Sequence, residues 1–214
     1  FSSSQVEPNR GSIASSQIIS APQYRQYDIY IGTFPSNSGT VDIASSNADG
    51  ITEALLRLRA LGLTNSTTGH GSIFVREGVY DWAGVTIPAG VSIHCVRGSS
   101  TVFRLTSLSG MVATIYGKFF YPKIDLGGLA FEGAAIDVKS QGWIEGDIYG
   151  GQLKRDSGSP GINNPTVLRL YKATQAYINV TVDGYTGVQA DSPGGGLFTC
   201  IESSDSYVYI KSKN

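Results

Sequence analysis

The feature that most constrains the fold of this chain is one amphipathic helix pattern that is followed only by strand patterns. Residues 49–62 read Asp-Gly-Ile-Thr-Glu-Ala-Leu-Leu-Arg-Leu-Arg-Ala-Leu-Gly. The apolar positions recur at i, i+3, i+4 and i+7, which places them on one helix face: Ile51, Ala54, Leu55 and Leu58. Asp49 is the predicted N-cap, and Gly62 is the predicted residue that ends the helix. A helix with one apolar face must cover something, so we expect it to cover the end of a β structure.

The rest of the chain is predicted to be nearly all β. Charged residues make up only 15% of the chain and 27 residues are glycine, a balance that suits many strands joined by tight turns. Strands are predicted at 27–32, 73–75, 91–95, 102–105, 111–116, 124–131, 136–138, 143–149, 166–170, 177–182, 197–201 and 207–210. A polar loop is predicted over residues 150–164. No second helix pattern lies between the strands, which argues against an α/β sheet with helical crossovers.

Two all-β architectures remain, an antiparallel sandwich and a parallel β-helix. A sandwich favours hairpins with Asn-Gly or Asp-Gly turns, and such turns are scarce between these runs. A β-helix stacks successive coils, tolerates irregular turns and allows a long loop to leave one corner. The pattern therefore favours the β-helix.

One segment resembles a known family. The helix is followed by Ile73-Phe-Val75, then Gly78-Val-Tyr80, then Ile87-Pro-Ala-Gly-Val91. This order resembles the first module of pectin-lyase-like right-handed β-helices, and most of all the version found in phage tailspikes. The resemblance covers residues 42–105 and continues in general character beyond them. It implies a right-handed parallel β-helix with an N-terminal amphipathic capping helix, in a fold that hosts lyases, hydrolases, epimerases and inert adhesins.

The same resemblance implies a domain organisation and partners. Residues 1–40 are expected to form an extended N-terminal attachment arm, and residues 41–214 the start of the β-helix domain. Residues 1–23 are polar, so they need a partner to become ordered, and we expect other virion tail or portal-associated proteins to supply it. A strand at 207–211 is followed only by three residues, so we expect further chain or symmetry mates beyond it. A homotrimer in the virion tail, facing host surface polysaccharide, is the expected assembly.

Several classes of function find no support in the sequence. A net charge of −1 argues against nucleic acid, and no apolar run is long enough for membrane insertion. His70 is predicted in a flexible loop and His94 on an outward strand position, without acidic or sulfur ligands at metal spacing, so no metal is predicted. No nucleophile elbow or phosphate-binding loop occurs, and no cofactor is predicted. Cys95 and Cys200 are expected to be buried free thiols rather than a disulfide.

The candidate carbohydrate site is the cluster Trp143, Glu145 and Asp147. Side chains alternate along a strand, so these three share one face while Ile144 and Ile148 share the other. If the isoleucines point inward, an indole and two carboxylates stand together on the outer wall. An aromatic face suits the C–H side of a sugar ring, carboxylates suit its hydroxyls, and two carboxylates are the usual minimum for glycoside hydrolysis. The alternative is a solvated strand face with one packed tryptophan.

Other polar residues are weaker candidates. Asp183 and Tyr185 close the strand at 177–182 and are expected on the same wall, although Asp-Gly is also a common turn dipeptide. Arg57, Arg59, Lys154 and Arg155 are interpreted as solvated charges. Pectate lyases of this fold use calcium-binding carboxylates and a basic arginine, and no stretch of this chain matches that motif.

Three functions therefore remain open at the level of sequence. The first is a structural protein of a phage tailspike or fibre. The second is a polysaccharide-degrading enzyme, a hydrolase or a lyase, with Glu145 and Asp147 as its candidate catalytic residues. The third is a secreted carbohydrate-binding adhesin without catalysis.

Overall fold

The computed structural model describes residues 25–32, 43–44, 49–67, 69–82, 84–95, 101–105, 113–127, 130–131, 134–150, 152–153, 166–184, 186–187 and 196–213. The elements in chain order are β1 (Arg25–Gly32), β2 (Ile43–Ala44), α1 (Asp49–Ala60), β3 (Gly69–Val75), β4 (Val79–Trp82), β5 (Val85–Ile87), β6 (Val91–Cys95), β7 (Val102–Leu105), β8 (Ala113–Ile115), β9 (Lys118–Asp125), β10 (Ala130–Phe131), β11 (Ala134–Val138), β12 (Trp143–Tyr149), β13 (Gln152–Leu153), β14 (Thr166–Tyr171), β15 (Tyr177–Asp183), β16 (Thr186–Gly187), β17 (Gly196–Ile201) and β18 (Tyr207–Lys213).

The strands form three sheets in which every described pair is parallel. The large sheet has the order β18-β15-β12-β9-β6-β3-β1-β2, with β4 and β7 beside it. The second sheet has the order β17-β14-β11-β8-β5, and the third β10-β13-β16. From β8 onward the chain visits the second, large and third sheets in turn, and we call one such pass a rung. This all-β arrangement of stacked parallel strands is compatible with a parallel β-helix, and no antiparallel pair occurs among the described strands.

The core consists of inward side chains stacked in register from rung to rung. One column of the large sheet is buried from its first member to its last: Ile29, Ile73, Ile93, Phe119, Ile144 and Ile178. Full burial of such a side chain stabilises the fold by roughly 1.5–3 kcal/mol. The next member, Val208 on β18, is 37% exposed, because no described strand pairs with the outer edge of β18.

Helix α1 covers the first strands of the large sheet, as its apolar stripe predicts. Ile51, Ala54 and Leu58 are buried, and the helix contacts β1, β2 and β3. Its C-terminus is a Schellman motif in which Gly62 N–H donates to the Arg59 carbonyl and Leu63 N–H donates to the Leu58 carbonyl. Gly62 has a φ of 73°, the left-handed conformation that favours glycine. The described helix is far too short to span a bilayer.

The predicted strand over 124–131 is wrong in its boundaries. Strand β9 begins earlier, at Lys118, and the chain leaves it at Asp125 before the separate β10. The sequence signal fails here because Pro122 lies inside β9, where a proline normally argues against a strand. The backbone accommodates it by a bulge, since Tyr121 has a φ of 58° and the register with β12 shifts at this point.

The two cysteines are both free, as expected, but the expected burial is wrong for Cys200, because no described strand pairs with the outer edge of β17. Cys95 is buried, and this burial raises the pKa of its thiol well above the ordinary value, whereas Cys200 is exposed on β17. Residues 1–24 and 154–165 lie outside the described part of the chain, so the structure does not test the predicted arm or most of the predicted loop.

Candidate functional site

Trp143, Glu145 and Asp147 project from the outer face of the large sheet, as their alternation with buried residues predicts. Ile144 and Ile148 on the same strand are buried in the core. Strand β12 lies between β9 and β15, so the three side chains stand in the middle of a wall rather than at its edge. Their surroundings come from neighbouring rungs.

Beside the column that contains Trp143, parallel pairing builds three more outward columns across this wall. From β9 through β12 and β15 to β18, the columns are Phe120, Glu145, Asn179 and Tyr209; Lys123, Asp147, Thr181 and Lys211; and Asp125, Tyr149, Asp183 and Lys213. Neighbouring strands are about 4.8 Å apart, so neighbouring members of one column are close enough to contact the same small ligand.

Two adjoining depressions lie over these columns. The first has a volume of about 340 Å³ and is lined by Tyr121, Lys123, Glu145, Asp147, Asn179, Tyr209 and Lys211 among others. The second has a volume of about 200 Å³, shares Lys123, Asp147 and Thr181 with the first, and adds Tyr149, Asp183 and Lys213. We call the two depressions together the outer-wall groove. It brings the predicted Glu145, Asp147 and Asp183 into one place.

The bulge in β9 shapes the floor of the groove. Pro122 faces Gly146 of β12, and a Cβ atom on Gly146 would lie only 2.4 Å from the Pro122 carbonyl oxygen. A side chain is therefore excluded between Glu145 and Asp147, which leaves backbone as the floor at this point. Bulges are common beside binding sites because they change the direction of adjacent side chains.

Trp143 belongs to a continuous series of ring contacts rather than to the groove lining. The rings run from β1 to β18: Tyr30, Phe74, His94, Phe120, Trp143, Tyr177 and Tyr207. The Trp143 ring lies 3.7 Å from Tyr177 at an angle of 14°, so the Trp143 face towards Tyr177 is covered. Its indole Nε1 is buried with no hydrogen-bond partner among the described residues. The aromatic side chain that lines the groove on β18 is Tyr209, which is 53% exposed and makes no described ring contact.

Both histidines lie on the large sheet. The prediction of a flexible loop for His70 is wrong, because the glycines around it are part of β3, and its Nε2 lies 2.7 Å from the hydroxyl of Ser92. His94 is on the outward face, as predicted. Burial lowers the pKa of both imidazoles; Lys118 lowers that of His70 further, and Asp28 opposes the shift in both. No cluster of metal-ligating side chains occurs in the part of the chain that the structure describes.

The lowered pKa of His94 predicts a loss of stability in acid. Because the folded chain binds this proton less readily than the unfolded chain, stability is fully present above about pH 6.5 and is lost as the pH falls below it. His94→Phe removes the titrating group and keeps a ring between Phe74 and Phe120, whose centroids lie 4.9 Å from that of His94. We expect the melting temperature of the wild type to fall more than that of His94→Phe between about pH 7.5 and about pH 5. Parallel falls in both proteins would show that His94 does not contribute.

A second polar cluster, on the second sheet, was missed by the sequence reasoning. Asp137 of β11 is fully buried, with Oδ2 2.6 Å from Lys139 Nζ and 3.0 Å from Arg169 Nη2 of β14. The Tyr171 ring lies beside both cations. This cluster is distant in the topology from the outer-wall groove, and its geometry is that of a structural ion network.

Several predicted and missed residues complete the description. Tyr185, Lys154 and Arg155 lie outside the described residues, and Arg57 pairs with Glu53 on the exposed face of α1. The polar and aromatic groove residues that sequence reasoning missed are Tyr121, Lys123, Tyr149, Asn179, Thr181, Tyr209, Lys211 and Lys213. A sequence signal for most of them exists. The segments beginning at 143, 177 and 207 each start with an aromatic residue and then alternate between outward and inward strand positions.

Comparison of the chain with protein-family models, with curated proteins and with solved structures found no match, so its function is argued from the groove itself.

Proposed function

We propose that this chain is a right-handed parallel β-helix of the pectin-lyase-like type that binds host-surface polysaccharide along its outer wall, as part of a phage tailspike or fibre. The observation that carries the proposal is the outer-wall groove, with carboxylates, an amide, a hydroxyl and a tyrosine in register on one sheet. The fixed order of sheet visits supports the β-helix, and parallel crossover connections are right-handed in about 98% of cases.

The groove has the chemistry that sugar recognition needs. Carboxylates such as Glu145 and Asp147 accept hydrogen bonds from sugar hydroxyls, and the Asn179 amide can both donate and accept. Tyr209 offers an exposed ring to the C–H side of a sugar. Because these groups stand on paired strands rather than on loops, little conformational freedom is lost when a ligand binds.

The viral assignment rests on the resemblance of residues 42–105 to the first module of tailspikes. In support of it, the helix α1 and the strands β3, β4, β5 and β6 follow one another as that module requires. The proposal includes a homotrimer located in the virion tail, with residues 1–23 contacting other virion tail or portal-associated proteins.

A polysaccharide-degrading enzyme is the second candidate, favoured by the joint presence of Glu145 and Asp147 in the groove. Positions i and i+2 of a strand are separated by about 7 Å. Retaining glycosidases place their carboxyl groups about 5–5.5 Å apart and inverting enzymes about 6.5–9.5 Å apart. The spacing of about 7 Å joins backbone positions rather than carboxyl groups, so it does not distinguish a retaining from an inverting arrangement.

The experiment combines size and binding. Light scattering should give the mass of a trimer, and a monomer would count against the tailspike assignment. On an array of bacterial capsular and O-antigen polysaccharides, the protein should bind a small set, and Tyr209→Ala should weaken that binding about tenfold. Tyr116→Ala is the matched control, because Tyr116 is 42% exposed and lies outside the groove. Equal losses in both variants, or no bound glycan, would contradict the proposal.

Each glycan that binds is then used to test whether the protein also cleaves it. Incubation with the wild type is followed by assays for new reducing ends and for unsaturated sugars. Cleavage that Glu145→Gln with Asp147→Asn abolishes would establish the second candidate with these catalytic residues. Cleavage that survives in this double variant would place the catalytic site elsewhere. Binding without cleavage indicates a non-catalytic shaft or adhesin.

A further inference from the structure

We propose that the outer-wall groove takes an electrically neutral, hydroxyl-rich sugar chain rather than an acidic polysaccharide. This inference rests on the proposed function and names the ligand class of the same site. Three observations support it. The charged side chains of the groove are equal in number for the two signs, they form no ion pairs among the described residues, and the strand register places opposite charges next to each other.

The charges of the groove balance. It is lined by three ammonium groups and three carboxylates: Lys123, Lys211, Lys213, Glu145, Asp147 and Asp183. Among the described residues, none of these six side chains forms a hydrogen bond or an ion pair. The groove therefore presents donors and acceptors that are both open to a ligand, without a net charge of either sign.

The register places opposite charges on neighbouring strands. Lys123 of β9 is opposite Asp147 of β12, and Asp183 of β15 is opposite Lys213 of β18. Neighbouring strands are about 4.8 Å apart. A carboxylate of an acidic sugar that approaches one of these lysines therefore also approaches an aspartate, and the repulsion offsets much of the attraction.

A neutral sugar satisfies both members of such a pair. Each hydroxyl both donates and accepts hydrogen bonds, so two adjacent hydroxyls can accept from Lys123 and donate to Asp147 at the same time. Hydrogen bonds to charged groups are roughly twice as strong as those between neutral groups. The same argument applies to Asp183 and Lys213. The two pairs lie in adjacent columns, which suits successive units of one chain.

The test compares acidic polysaccharides with their own neutral forms. The probes are bacterial capsular polysaccharides that contain uronic acids, the same polymers after chemical reduction of the carboxyl groups, and natural neutral capsular polysaccharides. We expect binding to neutral and carboxyl-reduced polymers, with each acidic parent bound about fivefold more weakly or worse. Binding should change little between about 50 and about 300 mM salt, because no net charge is neutralised.

The outcomes separate this inference from the proposed function. An acidic polymer that binds more tightly than its reduced form, with an affinity that falls as salt rises, would overturn the inference and leave polysaccharide binding intact. A protein that binds no polymer in either form would overturn the proposed function and this inference with it.

A charge variant tests the mechanism within the groove. Asp147→Asn keeps the shape of the side chain and leaves Lys123 without its neighbouring carboxylate. We expect this variant to shift the ratio of acidic to neutral binding about fivefold towards the acidic polymers. Asp205→Asn is the matched control, because Asp205 is exposed at a corner outside the groove. An unchanged ratio in Asp147→Asn would contradict the role given to the opposed charges.

Discussion

Asp137→Asn is expected to lower the free energy of unfolding by about 3 kcal/mol. The Asp137 carboxylate is fully buried, and its Oδ2 lies within 3.0 Å of nitrogens on both Lys139 and Arg169. Removing the negative charge leaves two cations close together, and the side chains of both are more than four-fifths buried. Breaking a buried ion network by loss of one partner is costly because the remaining charges stay desolvated. Urea denaturation followed by circular dichroism measures the change.

Glu202→Gln is the matched control for this prediction. Glu202 pairs with Lys172 at 3.5 Å across neighbouring rungs, but both side chains are more than half exposed. An exposed pair contributes little because water and salt screen it, so no measurable change is expected. Similar losses in the two variants would contradict the importance given to burial. Replacing Asp137, Lys139 and Arg169 together with Leu, Met and Met should restore most of the stability, since no charge then remains buried.

Gly117→Ala is expected to lower the free energy of unfolding by about 3 kcal/mol or more, because backbone atoms already occupy the space of the new methyl group. A Cβ atom at this position would lie 2.2 Å from the carbonyl oxygens of both Pro88 and Val91. These obstacles are backbone atoms, and Val91 N–H donates to the Pro88 carbonyl, so the corner cannot yield by a rotamer change. Gly117 itself donates to the carbonyl of Ile87. Thermal melting and urea denaturation should both show the loss.

Gly62→Ala measures the cost of an unfavourable backbone conformation without the steric clash that Gly117→Ala introduces. Nothing lies within 4 Å of a Cβ atom at Gly62, but its φ of 73° disfavours any residue with a side chain. This strain is expected to cost about 1 to 2 kcal/mol. A loss in Gly117→Ala that is no larger than that in Gly62→Ala would show that the Pro88–Val91 corner can move aside.

The sequence predicts those features of the fold that depend on local periodicity. The stripe of Ile51, Ala54 and Leu58 identifies the covering helix, and the alternation around Ile144 assigns Glu145 and Asp147 to one outer face. Both follow from how side chains repeat within a single element. The scarcity of hairpin turns likewise favours parallel pairing, which every described strand pair shows.

The rest of the site depends on register between strands that are distant in sequence, and local patterns carry no such information. Lys123 meets Asp147 only because a bulge at Tyr121 and Pro122 shifts the pairing of β9. Tyr209 enters the groove because β18 pairs with β15 in a register that no short motif encodes. The glycines that flank His70 predict a loop, whereas pairing with β1 and β6 holds those glycines extended. Tertiary context outweighs local propensity in each case.

The repeating order in which the chain passes through the three sheets affects how the outer wall can evolve. Within the large sheet, β12 and β15 each hydrogen-bond to one strand before them and one after them on the path. Duplicating one complete pass of the chain would therefore insert a row without rearranging the rows on either side. The area of the outer wall would grow by one row, and the existing side chains would keep their spacing. Polymers with repeating units suit a protein of this kind, because both can lengthen in fixed increments.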